Sequence, residues 1–449
     1  MKRRTLLAAA LAAAPIGLPR PAMAQSGRAK IVFWHAMTGT PGETLNLLVN
    51  GFNISQKTTE VTAIFKGTYP ETLAAAIAAF RTGEAPHLVQ IFDVGTASML
   101  AAGRAVRQTS ELIQETGVAI DPAEYVPAIR GYYSLADGKL ASLPFNSSTA
   151  VMWYNKDAFE KAGLDPEKPP VTWQQMVETC RTLKAKSAGT SANWSPSTSS
   201  WPSWIQLEQF SAIHNLPYAT KSNGFEGRDA ELKFNGPHQV KQIQRLLDMA
   251  KEGLFKYAGP DGAADALFPT GEASITFNAS DARGAINRNA KFKWAAALLP
   301  HDPEILAKPI NSSIGGASLW AMTAPAHTVG EYKGVAEFLK FIALPDNDAR
   351  WHQQTGCVPV TLAGYELTRQ QGYYEKNPGA DLAFQQLTRG QVTANSKGIR
   401  LGRMPELRGI IDAELEKALH GQQNAKQALD SAVLRGNKIL REFRKTSKV

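Results

Sequence analysis

The chain has 449 residues, 43% of them hydrophobic and 20% charged, with 36 glycines and 26 prolines spread along it. This composition excludes a disordered or fibrous polymer, and the length excludes a small scaffold that needs staples, leaving a globular protein of two or three domains. The formal charge is +9, but Lys2, Arg3, Arg4 and Arg20 fall in the first 24 residues with no acid among them, and the remaining +5 is too dilute to imply a nucleic-acid partner.

Those first residues follow the rules of export. Lys2-Arg3-Arg4 forms a positive start, residues 6–18 are apolar, and Ala22-Met23-Ala24 supplies small residues for cleavage after Ala24. The expected destination is the periplasm. Arg3-Arg4-Thr5-Leu6-Leu7 looks like a twin-arginine signal, which leaves the twin-arginine and general export routes both open. Pro15, Gly17 and Pro19 interrupt a stretch already too short to span a bilayer.

From residue 30 the chain alternates strand and helix. Residues 30–34 (Lys-Ile-Val-Phe-Trp) read as a buried parallel strand, and 43–52 as a helix with Leu45, Leu48, Val49 and Phe52 on one face. Residues 61–65 form a second strand, 71–82 a helix with Leu73, Ile77 and Phe80 inward and Gly83 as its stop, and 87–92 a third strand. This order predicts an α/β lobe with a doubly wound sheet, whose ligands sit beyond the carboxyl ends of the strands. Tyr69 and Asp93 follow the second and third strands and are placed to face such a cleft. After residue 150 helices dominate, at 156–163, 172–187 with Thr172 as cap, 204–214, 239–253, 335–344, 410–419 and 425–443, with a strand-like 273–277 among them. No gap is long enough for a linker, so two lobes are expected, with the chain crossing between them more than once.

The search for catalytic chemistry finds no phosphate loop, no GxSxG elbow, no HExxH and no histidines at a metal-ligand spacing on one helix. His35 and His352, each beside a tryptophan, read as core or rim residues. Cys180 and Cys357 sit in no nucleophile or CxxC signature, and Cys180 falls on a helix as a buried small hydrophobe. No enzyme activity, metal or cofactor is expected.

Several segments carry a resemblance. Residues 154–164 (Tyr-Asn-Lys-Asp-Ala-Phe-Glu-Lys-Ala-Gly-Leu) with Thr172-Trp173 resemble the segment after the first hinge of extracellular solute-binding proteins of the maltose-binding type. Phe80-Arg81-Thr82-Gly83, residues 144–149, 201–208, 314–320 and 374–381, and Arg400-Leu401-Gly402-Arg403-Met404-Pro405 are similar to the glycerol-3-phosphate-binding components of Ugp-type ABC importers, along essentially the whole mature chain.

The resemblance implies a two-lobed periplasmic binding protein fold, with one lobe at 26–146 plus 281–322 and the other at 150–278 plus 326–449. It also implies a monomer that captures glycerol-3-phosphate or a glycerophosphodiester such as glycerophosphocholine and delivers it to a membrane permease. Tyr69, Ser148, Trp201, Trp204, Gly316 and Arg408 match the family's ligand contacts. At Asn278-Ala279-Ser280 the family serine aligns to Ala279 or Ser280, and Ser280 is chosen for its hydroxyl. Asp93 stands where a glutamate is common, and Cys357 where the family has tyrosine. In chemical terms Arg408 is then the cationic anchor of a phosphate, with Tyr69, Ser148, Ser280 and the Gly316 N–H as neutral donors. Asp93 faces glycerol hydroxyls or a cation, and the tryptophans stack on carbon faces or a quaternary ammonium. Apart from the resemblance, the two tryptophans read equally as core and Arg408 as a surface ion pair. The alternatives are a sugar-binding protein, which needs a cleft of acids and aromatics, and an exported phosphodiesterase, which needs a metal cluster or nucleophile.

Overall fold

The computed structural model describes residues 27–187 and 193–447, so the expected export signal lies outside the described residues. Among them the strands are β1 (Ala29–His35), β2 (Thr59–Phe65), β3 (Leu88–Phe92), β4 (Val106–Arg107), β5 (Leu143–Ser148), β6 (Ala150–Asn155), β7 (Ser195–Ser199), β8 (Phe255–Lys256), β9 (Ala273–Ala279), β10 (Trp294–Ala297) and β11 (Gly315–Met322). They form two sheets. In the first, β2 and β3 flank β1 in parallel, and β11 runs antiparallel to β3, β4 and β5. In the second, the order is β10-β6-β9-β7-β8, with β7 parallel to β8 and β9 and the other pairs antiparallel.

The first three strands and two helices arise as their spacing predicts. Helix Gly39–Ser55 buries Leu45, Leu48, Val49 and Phe52 on one face. Helix Tyr69–Thr82 opens on a capping box, in which the Thr68 hydroxyl accepts from the Glu71 N–H and the Glu71 carboxylate accepts from the Thr68 N–H, and closes at Gly83 with φ 78°. Its inward face differs from the expected one. Thr72, Leu73 and Ala76 are buried, whereas Ile77 and Phe80 are 41% and 37% exposed. The small residues are what face the sheet, and turning them inward rotates Ile77 and Phe80 to the rim.

Two segments lie with the opposite sheet from the one expected. Strand β10 pairs with β6 of the second sheet. Helices Val329–Ile342 and Pro345–Thr355 belong with the first, because Phe338 packs edge-on against Phe33 and Phe52 (ring centroids 6.0 and 5.1 Å apart) and Val335, Leu339 and Trp351 join the same core. Burying a Phe of this kind contributes about 2–3 kcal/mol, so the apolar face of 329–342 settles the helix's place whatever its position in the chain.

The chain passes between the sheets at points that are tied together. β5 ends at Ser148 and β6 begins at Ala150, with Thr149 alone between them. The Thr149 hydroxyl donates to the Ser313 carbonyl at 2.8 Å and lies 2.7 Å from the Ser312 hydroxyl, and the Ser280 N–H donates to the Thr149 carbonyl at 2.9 Å. Three crossing segments therefore run side by side.

Candidate functional site

Beyond the carboxyl ends of β3 and β5, a cavity of about 90 Å³ opens between the sheets, lined by Tyr69, Phe92, Asp93, Ser148, Trp201, Trp204, Ala279, Asp281, Gly315, Gly316 and Arg408. Seven of the expected residues meet there although they are far apart in sequence. Ser280 and Cys357 are not on the wall. Ala279 takes the wall position, and the Ser280 hydroxyl is buried behind it without a hydrogen-bond partner. Cys357 is 1% exposed, its thiol pushed up by burial and by Asp281, and it lies in the first-sheet core. Neither cysteine is in a disulfide, and Cys180 is also buried, its thiol raised to about 12 by desolvation.

The first-sheet wall is set by a chain of hydrogen bonds. The Ala36 N–H donates to the Gln90 side chain (2.9 Å), Gln90 to the Asn146 side-chain oxygen (2.7 Å), and the Asn146 amide to the Tyr69 hydroxyl (2.8 Å). Tyr69 also stacks flat on Phe92, with centroids 5.4 Å apart. Because its oxygen already accepts a bond, the phenol proton is left to be donated into the cavity. Gly316 has φ 94°, and a Cβ there would collide with the Asn146 carbonyl oxygen, so only glycine fits. Gly315 serves a different need. A Cβ there would come within 2.6 Å of Trp204 Cζ2, and its absence lets the indole lie against the strand.

The opposite wall comes from residues 201–208 and the start of helix Met404–Leu419. Trp201 has φ 48° although it precedes a proline, and its N–H donates to the Asp261 carbonyl at 2.6 Å. A bulky residue in the left-handed region costs about 1–3 kcal/mol, which the surroundings must supply. Trp204–Gln209 forms a π-helical turn, a feature frequent at functional sites, with every side chain buried. Its polar members are satisfied. Gln209 exchanges hydrogen bonds with the Ser313 backbone (both 3.0 Å), and Gln206 donates to Ser199 (3.1 Å).

Glu208, on the same turn, changes the meaning of Arg408. The Arg408 Nε and Nη2 donate to its two carboxylate oxygens at 2.8 and 2.9 Å, and Asp93 lies 3.7 Å from Nη2. All three side chains are buried. Arg408 is therefore neither a surface ion pair nor a lone cation awaiting an anion. Burial alone would lower its pKa, but Glu208 and then Asp93 hold it above the ordinary arginine value. Desolvation raises Asp93 to about 7 despite Arg408, and raises Asp281 to about 6 with Asp265 adding to the effect. Counting Glu208, which pairs with Arg408 from outside the wall, the site sets one guanidinium against three carboxyl groups. It is near neutral with both aspartates protonated and doubly negative with both ionised. Sequence reasoning missed Glu208 and Asp281, although Glu208 ends the quoted 201–208 segment and Asp281 adjoins Ser280.

A family model described as bacterial extracellular solute-binding protein matches residues 48–379. The sn-glycerol-3-phosphate-binding periplasmic protein UgpB of Pectobacterium atrosepticum is 47% identical over 419 residues, 93% of each chain, and that of Escherichia coli O6:K15:H31 is 45% identical over 449 residues, the full length of both. Among solved structures, UgpB from Mycobacterium tuberculosis in complex with glycerophosphocholine aligns with a TM-score of 0.76 at 23% identity, covering 93% of this chain and 100% of that one, a likeness of fold. A two-lobed α/β architecture, a cavity walled from both sheets and near-half identity to full-length relatives lead to one conclusion: the chain belongs to the bacterial extracellular solute-binding protein family, in the branch of its UgpB relatives.

Proposed function

We propose that this protein is the periplasmic binding component of an ABC importer, that it takes glycerophosphodiesters such as glycerophosphocholine as well as glycerol-3-phosphate, and that it hands them to a membrane permease without turnover. Relatives named as sn-glycerol-3-phosphate-binding periplasmic proteins support the class of ligand. The observation that carries the finer reading is the buried Arg408–Glu208 pair with Asp93 beside it. A dianionic monoester entering this cavity meets one cation already answered by a carboxylate. A diester brings a single charge to Arg408, and its choline ammonium offers a cation to Asp93, Asp281 and the faces of Trp201 and Trp204, a cation–π contribution of roughly 0.5–2 kcal/mol. Tyr69, Ser148 and the Gly316 N–H are the neutral donors to phosphate and glycerol oxygens.

One observation favours a second reading, a sugar ligand. The cavity wall combines two carboxyl groups, Asp93 and Asp281, with Tyr69, Trp201 and Trp204, which suits hydroxyls and carbon faces as well as it suits a phosphoester. Calorimetry separates the two. Glycerophosphocholine and glycerol-3-phosphate should both titrate to one site per chain, with the diester bound at least as tightly, and maltose should give no heat. Maltose binding without phosphoester binding would reject the proposal, and glycerol-3-phosphate bound tenfold tighter than glycerophosphocholine would reject its finer half.

A further inference from the structure

Eight residues before Arg408 a second guanidinium is held between the two halves of the molecule on different terms. Arg400 lines a cavity of about 300 Å³ whose walls include Leu100 and Leu135 from one side and Phe225, Leu440 and Phe443 from the other, with Arg228 at the exposed edge. Its guanidinium lies 4.2 Å from the centre of the Phe225 ring and 5.6 Å from that of Tyr132, and one terminal nitrogen donates to the Tyr132 carbonyl. The Nε is buried and has no hydrogen-bond partner. Among the described residues no carboxylate forms an ion pair with Arg400, whereas Lys397 places a second ammonium 4.3 Å from the same Phe225 ring. Desolvation lowers Arg400 to about 10, with only the Tyr132 and Tyr133 hydroxyls acting against it.

A desolvated cation is normally answered by an anion, and ring faces with one carbonyl answer it only in part. About half of the cavity surface is apolar, supplied by Leu100, Leu135, Phe225, Leu401, Leu440 and Phe443. We propose that this cavity is a second binding site, separate from the ligand pocket, for a small organic anion with an aliphatic body: Arg400 takes a carboxylate or phosphate head, Arg228 and Lys397 add positive potential, and Leu100, Leu135 and Phe443 cover the chain. Tyr132 stands between the two sites. Its hydroxyl donates to the carbonyls of Asp93 (2.9 Å) and Ile399 (2.8 Å), while its ring carries Arg400 and meets Phe225 edge-on. The proposal does not depend on which ligand fills the pocket at Arg408.

Octyl phosphate and octanoate are the probes, titrated calorimetrically into the full mature chain, with octanol and inorganic phosphate as separate arms. Both amphiphilic anions should bind at one site per chain, and octanol and inorganic phosphate each at least tenfold more weakly. Arg400→Met should weaken octyl phosphate at least tenfold. Because Arg400 also ties to the Tyr132 backbone, Ala136→Trp provides a second test: Ala136 lines the cavity at an exposed position, so the indole fills the site without removing a contact, and it should abolish probe binding while thermal unfolding stays unchanged. No saturable heat with either anion overturns the proposal. So does octyl phosphate binding that survives both variants, or that is competed away by saturating glycerophosphocholine, which would put the probe in the ligand pocket.

Discussion

Arg408 and Arg400 sit eight residues apart between the same two halves, the first buried and the second half-buried, and the protein treats them in opposite ways. Arg408 is gripped by both oxygens of Glu208 and approached by Asp93, which hold its proton more firmly than in water. Arg400 has rings and a carbonyl, and its proton is held less firmly. The difference shows that burial of a guanidinium does not by itself mark an anion site. What matters is whether the protein has already supplied the counter-charge. At Arg408 it has, so in the binding mode proposed above a ligand shares the cation with Glu208, and a singly charged phosphodiester is easier to accommodate than a dianion.

Removing the cation from the paired site should have the largest effect. Arg408→Met leaves Glu208 buried without a partner and should lower stability by about 3–5 kcal/mol, besides abolishing ligand binding. Adding Glu208→Gln should recover most of the stability and none of the binding. Urea unfolding of both variants checks this, and a single variant within about 1 kcal/mol of wild type would mean that the pair is not the structural element described. Gly316→Ala comes next. It places a Cβ against the Asn146 carbonyl at a φ that alanine disfavours and should cost about 3 kcal/mol, together with most of the ligand affinity, since Asn146 also positions Tyr69. Unchanged unfolding would show that the strand relaxes freely there.

Which parts of this were visible in the sequence follows from the range of the interactions. Local rules carried far: Gly83 stops the helix that begins near residue 71, and Leu45 to Phe52 recur at helical spacing, so each is settled within a turn or two. The division of the helices between the sheets was not local, and the placement of 329–342 depended on Phe338 finding Phe33 across some 300 residues. At the site, the resemblance brought Tyr69, Asp93, Ser148, Trp201, Trp204, Gly316 and Arg408 to one cavity. Glu208 lay within the quoted 201–208 segment, but its pairing went unread, because a salt bridge between positions 200 residues apart leaves no spacing to read. The π-helical turn that points Glu208 inward has no 3.6-residue signature either.

A gentler test acts on the charge balance. Asp93 is raised to about 7 in the folded state, from an ordinary value near 4. A folded-state pKa above the unfolded one contributes stability that is complete at low pH and is lost as pH rises through the folded value. Between pH 6 and 8 the unliganded protein should therefore lose stability as pH rises, by up to about 1 kcal/mol per unit for each such group. Asp412, raised by burial to about 7, and Asp281 and Asp348, each raised to about 6, contribute in the same direction, so Asp93→Asn should lower the slope rather than remove it. The buried His214 and His352, lowered to about 4 by burial, act in the opposite sense up to and around the unfolded histidine pKa of about 6.5, so they offset part of this loss below pH 7. Thermal melts at several pH values provide the measurement, and a flat wild-type profile would contradict it.

The smallest expected effect is at Cys357, and it separates wall from core. The resemblance put this residue among the ligand contacts, yet it is sealed behind Asp281 with Val358 and Trp351 in the first-sheet core, its N–H donating to the Thr355 hydroxyl at 3.1 Å. A residue in that position acts on packing, not on the ligand. Cys357→Ala should therefore cost about 1 kcal/mol of stability, the value of roughly one buried methylene-sized group, and leave the affinity for glycerophosphocholine within threefold of wild type. The native thiol, buried and held well above the ordinary cysteine value, should also resist alkylation at pH 8 until the protein is unfolded. A tenfold change in affinity on removing the sulfur, or rapid labelling of Cys357 in the folded chain, would return the residue to the cavity wall and show that the space behind Asp281 is open to the ligand.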